Sequence, residues 1–196
     1  MEKPSTKKLI IETALKLFAA AGYEATTMEQ IAAAVGIRKS SLYSHFAGKQ
    51  EILEAIISQF NVEYTRESLV WKKDIVIKNQ QDFADHAKEH IHFLIREPHI
   101  SGIRKLLTLE QYRNPELSAL QTKMVYSEVL LYHKGMIQKL IEDGVLKDGD
   151  REIMAAQFAF PISCWLELCD REPERESEVM DLIERHVRQF FAAYSI

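Results

Sequence analysis

Residues 26–53 read TTMEQIAAAVGIRKSSLYSHFAGKQEIL and contain the clearest helix signals of the chain. Thr27 and Gln30 have the spacing of a capping box, which predicts that a helix begins at the next residue after Thr27. Gly36 is placed to end that helix. A second short helix is expected from about Lys39 to Phe46, after only three residues. Two short helices joined by a three-residue turn that contains glycine have the dimensions of a helix-turn-helix.

The second of these helices carries side chains that suit a nucleic-acid groove. Arg38 and Lys39 supply cations for phosphates or for the acceptor atoms of guanine. Leu42 and Phe46, four residues apart, are expected to attach the helix to the core. The alternative is a solvated polar face, but such faces usually carry acids as well, and no acidic residue occurs between Glu29 and Glu51. The pattern therefore favours DNA binding.

Helical periodicity continues on both sides of this stretch. A first helix is predicted from about Ser5 to Ala21, with an apolar stripe of Ile10, Ala14, Leu17, Phe18 and Ala21. Lys49 is expected to begin a long helix that ends somewhere between residues 64 and 73. Further helices are predicted at about residues 82–96, 100–112, 115–143, 150–169 and 174–194. The total is about nine helices with almost no strand signal, so the fold class is all-α.

Composition and charge narrow the function further. The chain is 46% hydrophobic and 28% charged, which is typical of a globular protein. No apolar run is long enough to span a membrane, and MEKPSTKK is not a signal peptide, so we expect a cytoplasmic protein. Residues 1–50 carry seven Lys or Arg and four Glu, a net charge of +3, whereas the whole chain carries −4. This asymmetry places a polyanionic partner at the N-terminal part.

The run from residue 26 to 53 resembles the DNA-binding domain of the tetracycline-repressor (TetR/AcrR) family of bacterial regulators. The shared features are a first helix ending in AAAGYEATT, the turn after IAAAVG, the LYSHF segment and Lys49 ahead of an apolar helix. The resemblance covers about residues 6–55. It implies an N-terminal three-helix DNA-binding domain at residues 1–50 and a C-terminal helical domain for ligand binding and dimerisation at residues 51–196. The positions that it implies as DNA contacts are Thr27, Arg38, Lys39, Ser40, Ser41, Tyr43, His45 and Lys49.

The last two helices carry more apolar surface than one bundle face needs. We predict that they form a four-helix interface in a homodimer, an arrangement that the resemblance also implies; ordinary core is the alternative. A two-fold dimer would read a pseudo-palindrome with its DNA-binding domains about 34–36 Å apart or a multiple of that spacing. The candidate interface residues are Met154, Phe158, Trp165, Met180, Ile183, Val187, Phe190 and Phe191.

The middle helices carry candidates for a cavity that binds a small, largely apolar ligand. They are Trp71, Phe83, His86, His90, Phe93, Tyr112, Met124, Tyr126, Leu130 and Tyr132, although each could equally be ordinary core. His86 and His90 have a spacing at which two histidines can share a metal. HAKEH nevertheless lacks the third ligand that a metal site needs, so we expect neither a metal nor a cofactor.

Two functions remain open from the sequence. The first is a ligand-responsive, sequence-specific DNA-binding regulator, a homodimeric repressor that a small molecule releases from a palindromic operator, or an activator with the same fold. The second is a helical small-molecule-binding protein or an enzyme. Since Ser, His and Asp form no nucleophile–base–acid pattern along the chain, the expectation is a protein that is not an enzyme.

Overall fold

The computed structural model describes residues 5–72 and 80–196, apart from the side chains of residues 63–72. Trp71, one of the ligand candidates, lies outside the described side chains. The α-helices are α1 Thr6–Ala21, α2 Met28–Val35, α3 Lys39–Tyr43, α4 Lys49–Lys72, α5 Gln80–Arg96, α6 Pro98–Glu110, α7 Pro115–Thr122, α8 Val129–Glu142, α9 Arg151–Arg171 and α10 Glu176–Tyr194. Apart from one isolated bridge between Leu146 and Ser195, the described residues form no β-structure. The all-α prediction, with an N-terminal helix-turn-helix and a C-terminal helical bundle, is confirmed.

Two elements differ from their predicted form. The long helix expected from residue 115 to about 143 contains a π-helical segment, Lys123–Glu128, between α7 and α8. The helix expected to reach Phe46 ends at Tyr43. It ends early because the Ser44 hydroxyl donates to the Ser41 carbonyl at 2.7 Å, and the His45 N–H bonds three residues back to the Leu42 carbonyl. A short polar side chain that binds the backbone in this way competes with the helix.

The described residues divide into two compact units. We call the first the head, which lies within Met1–Lys72 and Pro98–Ser118, and the second the body, which lies within Lys73–Glu97 and Ala119–Ile196. The head therefore includes α6 and the beginning of α7. The functional division after residue 50 stays a prediction, because packing units and functional domains need not coincide.

The head is built around α1, which packs against α2, α4 and α6. Three partner helices explain why α1 buries Leu15 as well as Ile10, Ala14 and Phe18. The predicted inward position of Ala21 is wrong: this residue is exposed at the helix end. Fully buried side chains from four helices, and Phe46 from the turn after α3, complete the core; the helical ones include Ile31, Leu42, Ile52, Leu53, Ile56, Phe60 and Ile103.

The body is a bundle in which α9 packs against α5, α8 and α10, and α10 also packs against α5. Its core holds six of the eight residues predicted for the dimer interface: Met154, Phe158, Ile183, Val187, Phe190 and Phe191. Their apolar surface is already covered within one subunit, as the ordinary-core alternative requires. The other two, Trp165 and Met180, are partly buried against the same core.

Candidate functional site

The beginning of α2 is fixed by the predicted capping box. The Thr27 hydroxyl accepts from the Gln30 N–H at 3.2 Å, and the Gln30 side chain accepts from the Thr27 N–H at 2.7 Å. At the other end, Gly36 has φ of 80°, a left-handed conformation that costs glycine little. This conformation lets its N–H bond to the carbonyls of Ala32 and Ala33 and turns the chain toward α3. Local sequence therefore sets both ends of the first helix of the helix-turn-helix.

α3 is anchored by two apolar side chains and exposes the rest. Leu42 is 0% exposed and Phe46, in the following turn, 1%. Arg38, Lys39, Ser40 and Tyr43 are exposed, whereas Ser41 and His45 are partly buried. The two anchors fix the rotation of the helix about its axis, so the cations and hydroxyls predicted to contact DNA lie on its outer side.

Lys39 is engaged by two neighbours on the head surface. Its ammonium forms an ion pair with Glu29 of α2, and its Nζ lies 5.7 Å from the centroid of the Tyr43 ring. The hydrogen bond between the pair raises the pKa of Lys39 and lowers that of Glu29. Both groups are therefore charged at neutral pH. A phosphate that approaches Lys39 has to compete with the Glu29 carboxylate.

Lys49 directs its cation into the head. Its Nζ donates to the carbonyls of Tyr23, at 2.6 Å, and Glu24, at 3.2 Å. It also lies 4.3 Å from the centroid of the Tyr23 ring, within cation–π range. These contacts attach the beginning of α4 to the loop between α1 and α2.

A buried carboxylate holds the same loop from the other side. Glu110 of α6 is 2% exposed, and its Oε1 accepts from the Tyr23 N–H at 2.8 Å. A Cβ on Gly22 would lie 2.9 Å from that oxygen, so the close approach requires glycine. Sequence reasoning missed Glu110, although it continues the apolar stripe of Ile103, Leu106 and Leu107 at helical spacing. An acid on a buried stripe is the signal that could have identified it.

The eight predicted DNA contacts all lie in the head, at the beginning of α2, along α3 and at the beginning of α4. Eight of the predicted ligand residues lie in the body instead: Phe83, His86, His90, Phe93, Met124, Tyr126, Leu130 and Tyr132. Tyr112 is separate from them, since it belongs to the head and is 92% exposed. Phe83 is 2% exposed and packs its ring against Phe158 and Phe191, which makes it a core residue.

The remaining body candidates include a cluster of imidazole and phenol rings. His86 Nε2 of α5 lies 3.5 Å from the Tyr132 hydroxyl of α8, and the His90 and Tyr132 ring centroids are 6.3 Å apart. His133 contacts the ring of Phe158 on α9, which in turn stacks on His186. The predicted set lacked His133 and His186. Each of these histidines lies on or beside the buried apolar stripe of its own helix. A polar residue is unexpected there, and this is the signal that could have identified them.

The described residues contain no group of three or more His, Cys, Asp or Glu side chains placed to hold a metal ion. No helix in the described ranges has the length and apolar character that a membrane span needs.

Comparison with known proteins agrees with this arrangement. Residues 10–56 match the family of bacterial regulatory proteins described as the tetR family. The chain is 29% identical over 156 residues, 76% of each chain, to YhgD, an uncharacterized HTH-type transcriptional regulator of Bacillus subtilis (strain 168). It is 48% identical over 48 residues to IcaR of Staphylococcus aureus (strain Newman), a negative transcriptional regulator of the biofilm operon icaADBC, which covers 24% of this chain and 26% of IcaR.

Solved structures extend the likeness in fold to almost the whole chain. SmeT, the repressor of the Stenotrophomonas maltophilia multidrug efflux pump SmeDEF, superimposes with a TM-score of 0.65 at 21% identity. The match covers 98% of this chain and 91% of SmeT. A SmeT–triclosan complex is a similar match, with a TM-score of 0.64 at 22% identity over 98% of this chain and 93% of that one. The helix-turn-helix, the family match over residues 10–56 and the shared fold agree: the N-terminal part of this chain is similar to that of bacterial regulatory proteins of the tetR family.

Proposed function

We propose that this protein is a homodimeric repressor that binds a palindromic operator through α3 and leaves it when the body binds a small, largely apolar ligand. The proposal rests on the orientation of α3 in the head. Leu42 and Phe46 fix its rotation, and exposed cations, hydroxyls and a tyrosine ring form its outer surface. This is the surface chemistry that reads a major groove.

The eight head residues have different roles in this proposal. Arg38, Ser40 and Tyr43, exposed at and along α3, reach base edges, because direct readout needs side chains that are free to enter the groove. Ser41 and His45 flank them. Lys39 and Thr27 bind phosphates, which position the protein without reading sequence. Phosphate also meets the backbone N–H groups of the first turn of α4, while the Lys49 ammonium keeps that turn in place.

Release by a ligand is supported by two relatives and by the division of the chain. IcaR is a negative regulator, and SmeT is a repressor that has been solved with triclosan bound. The body, with its ring cluster, is the part of this chain that we assign to the effector. Residues 1–50 supply the DNA-binding function and residues 51–196 the ligand-binding and dimerisation functions. The regulator acts in the cytoplasm, where its DNA is, by binding rather than by catalysis.

Dimerisation is assigned to the outer faces of α9 and α10. Six of the originally predicted interface side chains are core residues, so the contact has to use their more exposed neighbours. Ile153, Phe160, Cys164 and Leu168 recur at helical spacing along α9; Ile153 is 52% exposed and Cys164 is also exposed, whereas Phe160 and Leu168 are partly buried. Burial of such a stripe against a second copy would remove apolar surface from water.

Selection from a pool of random duplexes tests the proposal. We expect enrichment of a palindrome whose half-sites are about one helical turn apart or a multiple of that distance. Affinity for the selected duplex should fall steeply with salt, because each phosphate contact releases counterions. Enrichment of no sequence over the starting pool would contradict the proposal. Tyr43→Ala should abolish the enrichment. Lys16→Ala, the matched control at an exposed position of the head, should leave the enrichment intact.

A further inference from the structure

The ring cluster of the body has the chemistry of a polar ligand site. We propose that His133 and Tyr132 of α8, with His86 and His90 of α5, form a site for a neutral aromatic molecule with a hydroxyl group, that is, a phenol-type effector. The inference deepens the proposed function, on which it rests, by naming the ligand class. It requires a ligand that both donates and accepts a hydrogen bond at one oxygen and carries no net charge.

The hydrogen bonding of His133 defines the acceptor. Its Nδ1 donates to the Val129 carbonyl at 2.8 Å, which assigns the proton of the neutral ring to Nδ1. Nε2 is then the acceptor of this ring, and no described residue donates to it. The residue keeps part of its surface exposed, which leaves room for a donor from outside the protein. A hydroxyl group is such a donor.

Tyr132 supplies the complementary donor. Its hydroxyl lies 3.5 Å from His86 Nε2, which is at the long limit of a hydrogen bond. The Tyr132 ring meets the His133 ring edge to face, with centroids 5.0 Å apart, so the two side chains border the same space. Burial raises the pKa of Tyr132, which keeps the phenol protonated and able to donate. One ligand oxygen placed here can accept from Tyr132 and donate to His133.

The charge of the site selects a neutral ligand. Burial lowers the pKa of His133 to about 4, and burial together with the nearby His133 and His86 lowers that of His90 to about 4. Burial also lowers the pKa of His86, against the opposing effect of Glu89. Imidazoles in this state are uncharged at neutral pH and do not offer a cation to a carboxylate ligand.

Lysines on the same helices are paired with acids of the protein. Lys88 bonds to Glu184 at 3.0 Å, and Lys134 pairs with Glu152 at 3.3 Å. An anionic ligand would therefore have to displace an existing ion pair. A cationic ligand would lose its hydration among uncharged rings, and no carboxylate belongs to the ring cluster to compensate for that penalty. A neutral hydroxyl meets neither obstacle.

The aromatic part of the ligand has rings to pack against. These are the partly buried rings of His133, Tyr132 and His90, whereas Phe158, 5.4 Å from His133 between centroids, is a core residue that supports the His133 ring. Phe158 also stacks on His186 at 5.3 Å, and His186 has Trp165 at its edge. His186 donates from Nε2 to the Phe158 carbonyl, so its orientation is fixed. Flat rings that offer both faces and edges favour an aromatic ligand over an aliphatic one.

Calorimetry on the full chain at neutral pH tests the class of ligand with four probes of matched size. They are 1-naphthol, 1-methoxynaphthalene, 1-naphthoate and the cation 1-naphthylmethylammonium. We expect 1-naphthol to bind about five- to tenfold more tightly than its methyl ether, the effect of one hydrogen bond, and to bind more tightly than either ion. An equal affinity for naphthol and its ether, or tighter binding of either ion, would overturn the inference.

Two variants separate the two hydrogen bonds. His133→Phe removes the acceptor, so the variant should bind 1-naphthol and its methyl ether with about equal affinity. Tyr132→Phe removes the donor, so it should weaken both probes by a similar factor and keep the preference. His92→Phe is the matched control on α5, since His92 pairs with Glu176 instead of joining the cluster. A preference for naphthol that survives in a folded His133→Phe protein would refute the assignment.

The operator assay, run on the same protein, distinguishes the two proposals. If the chain binds its selected duplex but shows no naphthol preference, only the ligand inference fails. If it shows the preference but selects no duplex, the site is real and the repressor proposal fails.

Discussion

Replacement of Lys49 by methionine separates two ways in which this residue can support DNA binding. Its ammonium donates to the Tyr23 and Glu24 carbonyls at 2.6 and 3.2 Å, and the side chain is 21% exposed. Charge-assisted hydrogen bonds contribute about 1.5–3 kcal/mol each at most, and partial exposure reduces this value. We expect Lys49→Met to lower the free energy of unfolding of the head by about 2 kcal/mol. For a chain of this size that corresponds to a decrease of about 4–8 °C in Tm.

The salt dependence of operator affinity identifies the mechanism. A lysine that neutralises a phosphate contributes about 0.9 to the slope of log K against log salt. Because the Lys49 ammonium is committed to the loop, we expect Lys49→Met to weaken binding without a change in slope. Lys39→Met should lower the slope by about 0.9, and Lys16→Met, on an exposed position of α1, should leave stability unchanged. A Lys49→Met protein with wild-type Tm and a slope lower by about 0.9 would refute the reasoning.

Three further predictions concern the head and the body. Thr27→Ala should destabilise the head by about 1 kcal/mol in chemical denaturation, because it removes one bond of the capping box, whereas Thr27→Ser should be close to wild type. Glu29→Gln should tighten operator binding by about two- to fivefold in a fluorescence titration, since it frees Lys39 and removes a negative charge from the DNA-binding face; weaker binding would contradict this. His90 and His133 have a pKa of about 4 in the folded chain and about 6.5 when unfolded, so the unfolded state binds more protons below pH 6.5. The free energy of unfolding should therefore fall by a few kcal/mol as pH decreases from about 6.5 to 4. His133→Phe should reduce this fall when the free energy of unfolding is measured against pH. The same fall in the variant and the wild type would contradict the low pKa of His133.

Local signals made the helix-turn-helix predictable. The capping box at Thr27 and the glycine at position 36 act through neighbouring residues, so each could be identified from a few letters of sequence. The end of α3 was placed three residues too late, at Phe46, because Phe46 continues the apolar spacing from Leu42. The competing Ser44 hydroxyl bond to the Ser41 carbonyl is also local, but spacing rules do not include it.

Long-range contacts were the part that sequence could not supply. Glu110 meets Tyr23 from 87 residues away, and no pattern in α6 indicates which backbone N–H its carboxylate accepts from. Sequence alone does not distinguish two kinds of burial in α9 and α10 for a similar reason. The apolar stripe of Ile183, Val187 and Phe190 has the same appearance whether it packs within a subunit or against a second copy, and the fold uses it within the subunit.

We propose that exposed side chains at and along α3 read bases, and operator selection repeated with variants of these side chains tests this role. Arg38→Ala and Ser40→Ala should each relax the preference at one or two base pairs in both half-sites, which corresponds to about 1–3 kcal/mol of discrimination at those positions. The remaining base pairs of the consensus should be unchanged. If both variants select the wild-type consensus at every position, the assignment of α3 as the recognition helix is wrong.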